Sequence, residues 1–239
     1  MADFPSGVWR YPTEIRFGVG EINKLADVCG DAGIRRPLIV TDAGLVRNSM
    51  ITGARDDLQD AGMAAEVYSR VRGNPIGANV LEGCEMFRDG DFDGVIGFGG
   101  GSALDVAKTI AMAAHQDRPL FEMHVSSGGP AAIDGDKIAP IIAVPPTAGT
   151  GSETGRASIV TEEQVHEKRI FLHARMMPTI VIEDPQLTVG LPADLTAWTG
   201  IDALAHCFEG FCSPELHPFS DGVAVEGMRL IKEYLPRAY

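Results

Sequence analysis

The stretch Val95-Ile96-Gly97-Phe98-Gly99-Gly100-Gly101-Ser102-Ala103-Leu104-Asp105-Val106-Ala107-Lys108 decides the fold class of this chain. An apolar run meets a cluster of glycines and passes at once into a helical pattern. Consecutive glycines let the backbone turn sharply and bring bare N–H groups close to an anion. A helix starting directly behind them points its positive dipole end at the same place. A second segment of this kind runs Ile141-Ile142-Ala143-Val144-Pro145-Pro146-Thr147-Ala148-Gly149-Thr150-Gly151-Ser152-Glu153. Two glycine loops, each behind a strand-like run, point to a dinucleotide pocket. There is no G-K-[ST], which excludes a P-loop NTPase. Ser102 stands where the third glycine of an ordinary Rossmann fingerprint would be, which disfavours that fingerprint.

Outward from the first loop, short apolar runs alternate with helical periodicity as far as residue 185. Strands are predicted at 37–41, 64–68, 94–98, 138–144 and 179–183. Helices are predicted at 50–61, 78–88 and 103–114, and one earlier helix places Ile22, Leu25, Ala26 and Cys29 on a shared face. Alternation of this kind implies a parallel sheet with helices on its faces. After Asp184-Pro185 strand signals stop. Helices are predicted at 194–211 and from 220 to about 234, so a domain boundary is placed near 186–192. Two helices are too few to close a core, and this helical part reads as incomplete.

The chain has 239 residues, 45% of them hydrophobic, with 28 glycines. This composition suits an ordered α/β protein. A formal charge of -13 argues against nucleic acid and anionic membrane surfaces as partners, since both require a basic face. No apolar run approaches the roughly 20 residues of a membrane span. The first residues lack the basic end and apolar core of a signal peptide. Cys29, Cys84, Cys207 and Cys212 form no C-x-x-C pair, which excludes zinc-ribbon and thioredoxin readings and leaves reduced thiols in a cytoplasmic protein as the expected state.

Candidate site residues follow from these patterns. Gly99, Gly100, Gly101 and Ser102 would cradle a pyrophosphate, and Ser102 with Asp105 has the spacing of a capping box. Asp42, just past a strand, either accepts hydrogen bonds from ribose hydroxyls, favouring NAD over NADP, or caps the turn at Ala43-Gly44. Thr147 and Thr150 offer hydroxyls around the second loop, and Thr150 to Glu153 repeats the capping-box spacing. Asp202 and His206 lie one helical turn apart and could give an oxygen and a nitrogen to Fe²⁺ or Zn²⁺; a plain hydrogen-bonded pair is the other reading.

Four segments in order carry a resemblance: GFGGGSALDVAK at 97–108, PPTAGTGSE at 145–153, EDPQLT at 183–188 and TGIDALAHCFEG at 199–210. Together they resemble the iron-containing (group III) alcohol dehydrogenase family over essentially the whole chain. The resemblance implies an α/β dinucleotide-binding domain with a parallel sheet at 1–188. An all-α domain of dehydroquinate synthase-like type, incomplete here, would begin at 189–239. It implies NAD as cofactor, with Asp42 on the adenosine ribose, Asn74 near the cofactor and Gly99 to Ser102 on the pyrophosphate. Thr147, Thr150 and Lys168 would line the ribose and nicotinamide side, and Asp202 and His206 would be the first two metal ligands.

Two departures stand out. Pro145-Pro146-Thr147 replaces the family's Pro-Thr-Thr and removes one hydroxyl. The family's two later histidine ligands have no counterpart in these 239 residues, leaving half of the expected metal shell. The implied activity is hydride transfer between NAD and a small primary alcohol, diol or hydroxy acid, in a homo-oligomer (a dimer). The alternatives are a non-catalytic NAD-binding fragment, a related polyol or hydroxy-acid dehydrogenase, and a dehydroquinate-synthase-like lyase.

Overall fold

The computed structural model describes residues 13–239. Among them the chain forms two compact units. One comprises Thr13–Pro146 with Ser152–Leu187; the other comprises Thr147–Gly151 with Thr188–Tyr239.

The first unit is built on a six-stranded sheet. Its strands are β1 (Glu14–Phe17), β2 (Pro37–Asp42), β3 (Glu66–Val71), β4 (Gly94–Phe98), β5 (Ile141–Val144) and β8 (Ile180–Glu183). Their order is β1-β8-β5-β4-β2-β3, and every neighbouring pair is parallel. The central strands are continuous apolar runs because both faces are covered. Helices α1 (Leu25–Asp31) and α2 (Ser49–Asp60) pack on one face, where Ile39, Ile96, Phe98, Ile142 and Ile182 point. Helices α3 (Gly77–Asp89) and α4 (Gly101–Ala113) pack on the other, against Leu38, Val40, Val95 and Ile141. Successive residues of one strand thus feed two cores, as the two-residue period of a strand requires.

The predicted parallel sheet is present, with differences at its margins. β3 begins two residues later than expected, and β5 is confined to Ile141–Val144 because Gly135–Lys137 forms a 3₁₀ turn ahead of it. Two features were not read from the sequence. β1 is an edge strand with three of its four residues exposed, so its apolar content carries no burial signal. β6 (Ala157–Glu162) and β7 (Glu167–Leu172) form a separate antiparallel hairpin. Val160 and Phe171 are its only buried apolar members, and charged Glu167, Lys168 and Arg169 obscure the alternation.

The second unit holds α5 (Ala193–Phe211) and α6 (Pro218–Ala238). The pair packs closely at two glycines. A Cβ on Gly200 would stand 2.4 Å from Leu235 Cδ1, and one on Gly227 would stand 2.6 Å from Cys207 Sγ. Gly200 is the only buried residue of α5, and Ala224 the only one of α6. Trp198, Ile201, Phe208, Phe219 and Val223 are exposed. The two helices therefore carry apolar faces without a core of their own, as expected for so short a helical part. No helix among the described residues is long and apolar enough to cross a membrane.

Candidate functional site

The strand order fixes where a ligand can enter the first unit. The chain leaves β2 outward to β3, then returns to place β4 on the other side of β2. In an open parallel sheet, such a reversal opens a crevice beyond the carboxyl ends of the strands. Here those ends are Thr41-Asp42 on β2 and Phe98-Gly99 on β4.

Close packing holds this crevice together. A Cβ on Gly97 would lie 3.0 Å from Ala107 Cβ, and one on Gly99 would lie 2.7 Å from Ala103 Cβ. These two glycines are required by the approach of α4 to β4, and neither Gly97 nor Gly99 to Gly101 adopts a left-handed φ. The sharp turn expected of the glycine run is instead made by extended backbone at Gly100, with φ -66° and ψ -177°. In the second loop, Gly151 does have a left-handed φ of 68°.

The first turn of α4 leaves the N–H groups of Gly101 and Ser102 without an intrahelical acceptor, as at any helix start. Gly100 is the N-cap and contributes no side chain. The expected Ser102–Asp105 capping box is absent, because the helix begins a residue ahead of Ser102 and Asp105 is engaged elsewhere. Its Oδ1 accepts from Ser152 Oγ at 2.8 Å and its Oδ2 from the Ile159 N–H at 3.1 Å. Ser152–Thr154 is a 3₁₀ turn leading into β6, so no α-helix dipole serves the second loop.

Asp42 fulfils the turn-capping reading and leaves room for the other. Its Oδ1 accepts from the N–H groups of Gly44 at 2.9 Å and Leu45 at 3.1 Å. Its Oδ2 lies 3.6 Å from the Cβ position of Gly99. Beside it, Thr41 Oγ1 is buried with no hydrogen-bond partner, 3.8 Å from the same point. A bare backbone, an available carboxylate oxygen and an orphaned hydroxyl converge there. That point lies inside the joint between β4 and α4, where Gly99 and Thr41 are buried, and Asp42 is partly exposed beside it. Thr41 was not singled out from sequence, since a threonine inside an apolar strand reads as filler.

Asn74, in the loop after β3, is exposed and has a left-handed φ of 51°. Lys168 is exposed on β7 opposite Thr161, whose N–H donates to Pro75 O at 2.7 Å. The hairpin that bears Lys168 is thereby tied to the loop that bears Asn74. Thr147 and Thr150 belong to the helical unit, as do Asp202 and His206.

Asp202 Oδ2 and His206 Nε2 are 3.6 Å apart on α5, with side chains 45% and 51% exposed. Two ligand atoms about 2.1 Å from a tetrahedral ion would be separated by about 3.4 Å, so the pair fits two positions of one metal shell. Among the described residues no third histidine, cysteine, aspartate or glutamate joins them.

The profile described as iron-containing alcohol dehydrogenase matches residues 12–185, and that of the Fe-containing alcohol dehydrogenase family's C-terminal part matches 196–239. The chain belongs to the iron-containing alcohol dehydrogenase family. Among the relatives of this family member is the 4-hydroxybutyrate dehydrogenase of Cupriavidus necator, 39% identical over 95% of this chain and 59% of that protein. Another is the 1,3-propanediol dehydrogenase of Citrobacter freundii, 35% identical over 93% of this chain and 57% of that protein. The structure resembles the sulfoacetaldehyde reductase of Bifidobacterium kashiwanohense in complex with NAD⁺, with a TM-score of 0.89 and 32% identity, covering 98% of this chain and 61% of that one. This iron-containing alcohol dehydrogenase homologue thus spans less than two thirds of the length of these relatives.

Proposed function

We propose that this chain binds NAD at the carboxyl ends of β2 and β4 and serves a metal-dependent alcohol dehydrogenase. The reaction is hydride transfer between NAD and a small primary alcohol, diol or hydroxy acid. The observation that carries this reading is the start of α4 directly behind the Gly99-Gly100 turn, with the partly exposed Asp42 at the end of the neighbouring strand β2. Asp42 would accept the adenosine ribose hydroxyls and repel a 2′-phosphate. The Gly101 and Ser102 N–H groups at the positive end of α4 would hold the pyrophosphate. Asn74, Thr147, Thr150 and Lys168 would line the remainder of the cofactor, a reading supported by their motif positions. Residues 1–188 would be the dinucleotide-binding domain and 189–239 the start of the metal and substrate domain.

Asp202 and His206 would hold the metal, iron or zinc, which when bound supplies Lewis acidity to the substrate oxygen. The protein's own contribution is to orient cofactor and substrate and to exclude water. The reduced thiols of Cys29, Cys84, Cys207 and Cys212 support a cytoplasmic setting, and the exposed apolar faces of α5 and α6 support a homo-oligomer.

The test is an NADH titration of the chain, followed by metal analysis and alcohol-dependent NADH formation after anaerobic Fe²⁺ loading. Binding with stoichiometric metal and turnover supports the full reading. Binding without turnover would support the second reading, a non-catalytic NAD-binding chain. No NADH binding would overturn both.

A further inference from the structure

The helix behind the first glycine loop carries two charges inside its apolar pattern. Lys108 is 1% exposed, and its Nζ donates to Ser152 Oγ at 2.7 Å, to Ser152 O at 2.9 Å and to Ala157 O. Asp105, one turn earlier, lies 3.6 Å from Nζ. It accepts from Ser152 Oγ and from the Ile159 N–H. Ser152 thus bridges the two, accepting from the lysine and donating to the aspartate. Burial pulls the lysine below its usual pKa against the effect of Asp105, and lifts Asp105 above the usual carboxylate range against the effect of Lys108. Charges held under such a desolvation cost imply a specific geometric role, since apolar residues would pack the same helix face at less cost.

What the pair holds is informative. Ser152, Ala157 and Ile159 lie on the 3₁₀ turn after the second glycine loop and on the start of β6. β7 pairs with β6 and carries Lys168 opposite Thr161. The other end of α4 is the Gly100-Gly101-Ser102 turn. One helix therefore presents the first loop at its start and anchors the hairpin two turns later.

We propose that Asp105 and Lys108 are positioning residues that hold the β6–β7 hairpin, and Lys168 with it, at a fixed distance from the α4 N-terminus. They set the span between the pyrophosphate site and the nicotinamide side. This inference rests on the dinucleotide reading above. It predicts a split: the adenosine end, held by Asp42 and the first loop, is indifferent to the pair, whereas the whole dinucleotide depends on it.

The test compares ADP and NADH affinities, with hydrogen exchange of residues 152–172, in wild type, Lys108→Met, the charge-neutral double variant Lys108→Met/Asp105→Asn, and the milder Ser152→Ala. The expected result is NADH binding weakened about tenfold and ADP binding within twofold of wild type, with faster exchange in the hairpin and unchanged exchange in β2 and β4. Equal weakening of ADP and NADH, or unchanged hairpin exchange in the folded variants, would overturn the proposal. If Lys108→Met does not fold, the double variant and Ser152→Ala give the same two readouts. A wild-type chain that binds ADP but not NADH, or neither, would sink the dinucleotide reading; the exchange measurement on nucleotide-free protein would still decide whether the pair positions the hairpin.

Discussion

Asp42 Oδ2 stands 3.6 Å from the point where Gly99 would carry a Cβ, while its Oδ1 is spent on the Gly44 and Leu45 N–H groups. One carboxylate thus closes the turn after β2 and faces the backbone of the first glycine loop. Asp42→Ala removes both functions and Asp42→Asn keeps the turn acceptor while removing the charge. Losing the turn bonds should cost about 1 kcal/mol of stability. Losing the charge should move the NADH-to-NADPH affinity ratio toward NADPH by about tenfold, or roughly 1.4 kcal/mol. Fluorescence titration of both nucleotides measures this, and an unchanged ratio in both variants would remove Asp42 from the ribose site.

Gly99→Ala places a methyl group 2.7 Å from Ala103 Cβ, at the joint between β4 and α4. Neither partner is a flexible side-chain end, so strand and helix must separate. Overpacking of this kind costs about 1–3 kcal/mol. The Gly101 and Ser102 N–H groups move with the helix, so NADH affinity should fall with stability. Gly53→Ala is the matching control: nothing lies within 4 Å of its Cβ position on α2, and its φ is not positive. Alanine there should raise stability by up to ~1 kcal/mol. Thermal melts of the two variants shifting in the same direction would contradict this account.

The strands whose ends form the proposed site were legible because β2, β4 and β5 are buried on both faces and therefore read as unbroken apolar runs. The β6–β7 hairpin was not, since Ile159 and Ile170 face outward, the buried Ser158 is polar, and only Val160 and Phe171 are buried apolar residues. The capping box at the start of α4 failed for a different reason. Ser102–Asp105 has the correct spacing, but spacing cannot show that Ser152, 47 residues away, provides a competing partner. Lys108 carries a signal in the sequence, a lysine one turn after an aspartate among the apolar or small residues Val106, Ala107, Thr109 and Ile110, all of which are buried. Thr41 carried none, because an orphaned hydroxyl is a property of its surroundings.

Cys29 and Cys84 are buried thiols pushed up to about 12, chiefly by desolvation. Their folded values exceed the ordinary value near 9, so the native state holds protons that the unfolded state releases between those limits. Their contribution to stability is complete below pH 9 and is lost as pH rises toward 12. Urea midpoints should therefore fall across that window, and Cys84→Ala should flatten the fall while lowering stability at neutral pH by its own cavity cost. Thiol labelling at pH 8 should modify exposed Cys212 first and leave Cys29 and Cys84 untouched until the protein unfolds. Early modification of Cys29 or Cys84 would show that the first unit opens locally.

His206 and Asp202 face each other across one turn of α5 with both side chains about half exposed. Replacing either should change stability by no more than about 0.5 kcal/mol, as for exposed positions outside any packed network. That separates metal loss from unfolding. In protein loaded with iron or zinc, His206→Ala is expected to abolish retention of the metal through dialysis, with the thermal transition of the metal-free protein unchanged. Asp202→Asn, which keeps the shape and loses the charge, should weaken retention less than His206→Ala removes it. Metal content by mass spectrometry decides the matter. Full occupancy in His206→Ala would show that the pair is an ordinary helix-surface contact, and the metal would then have to be held by other residues.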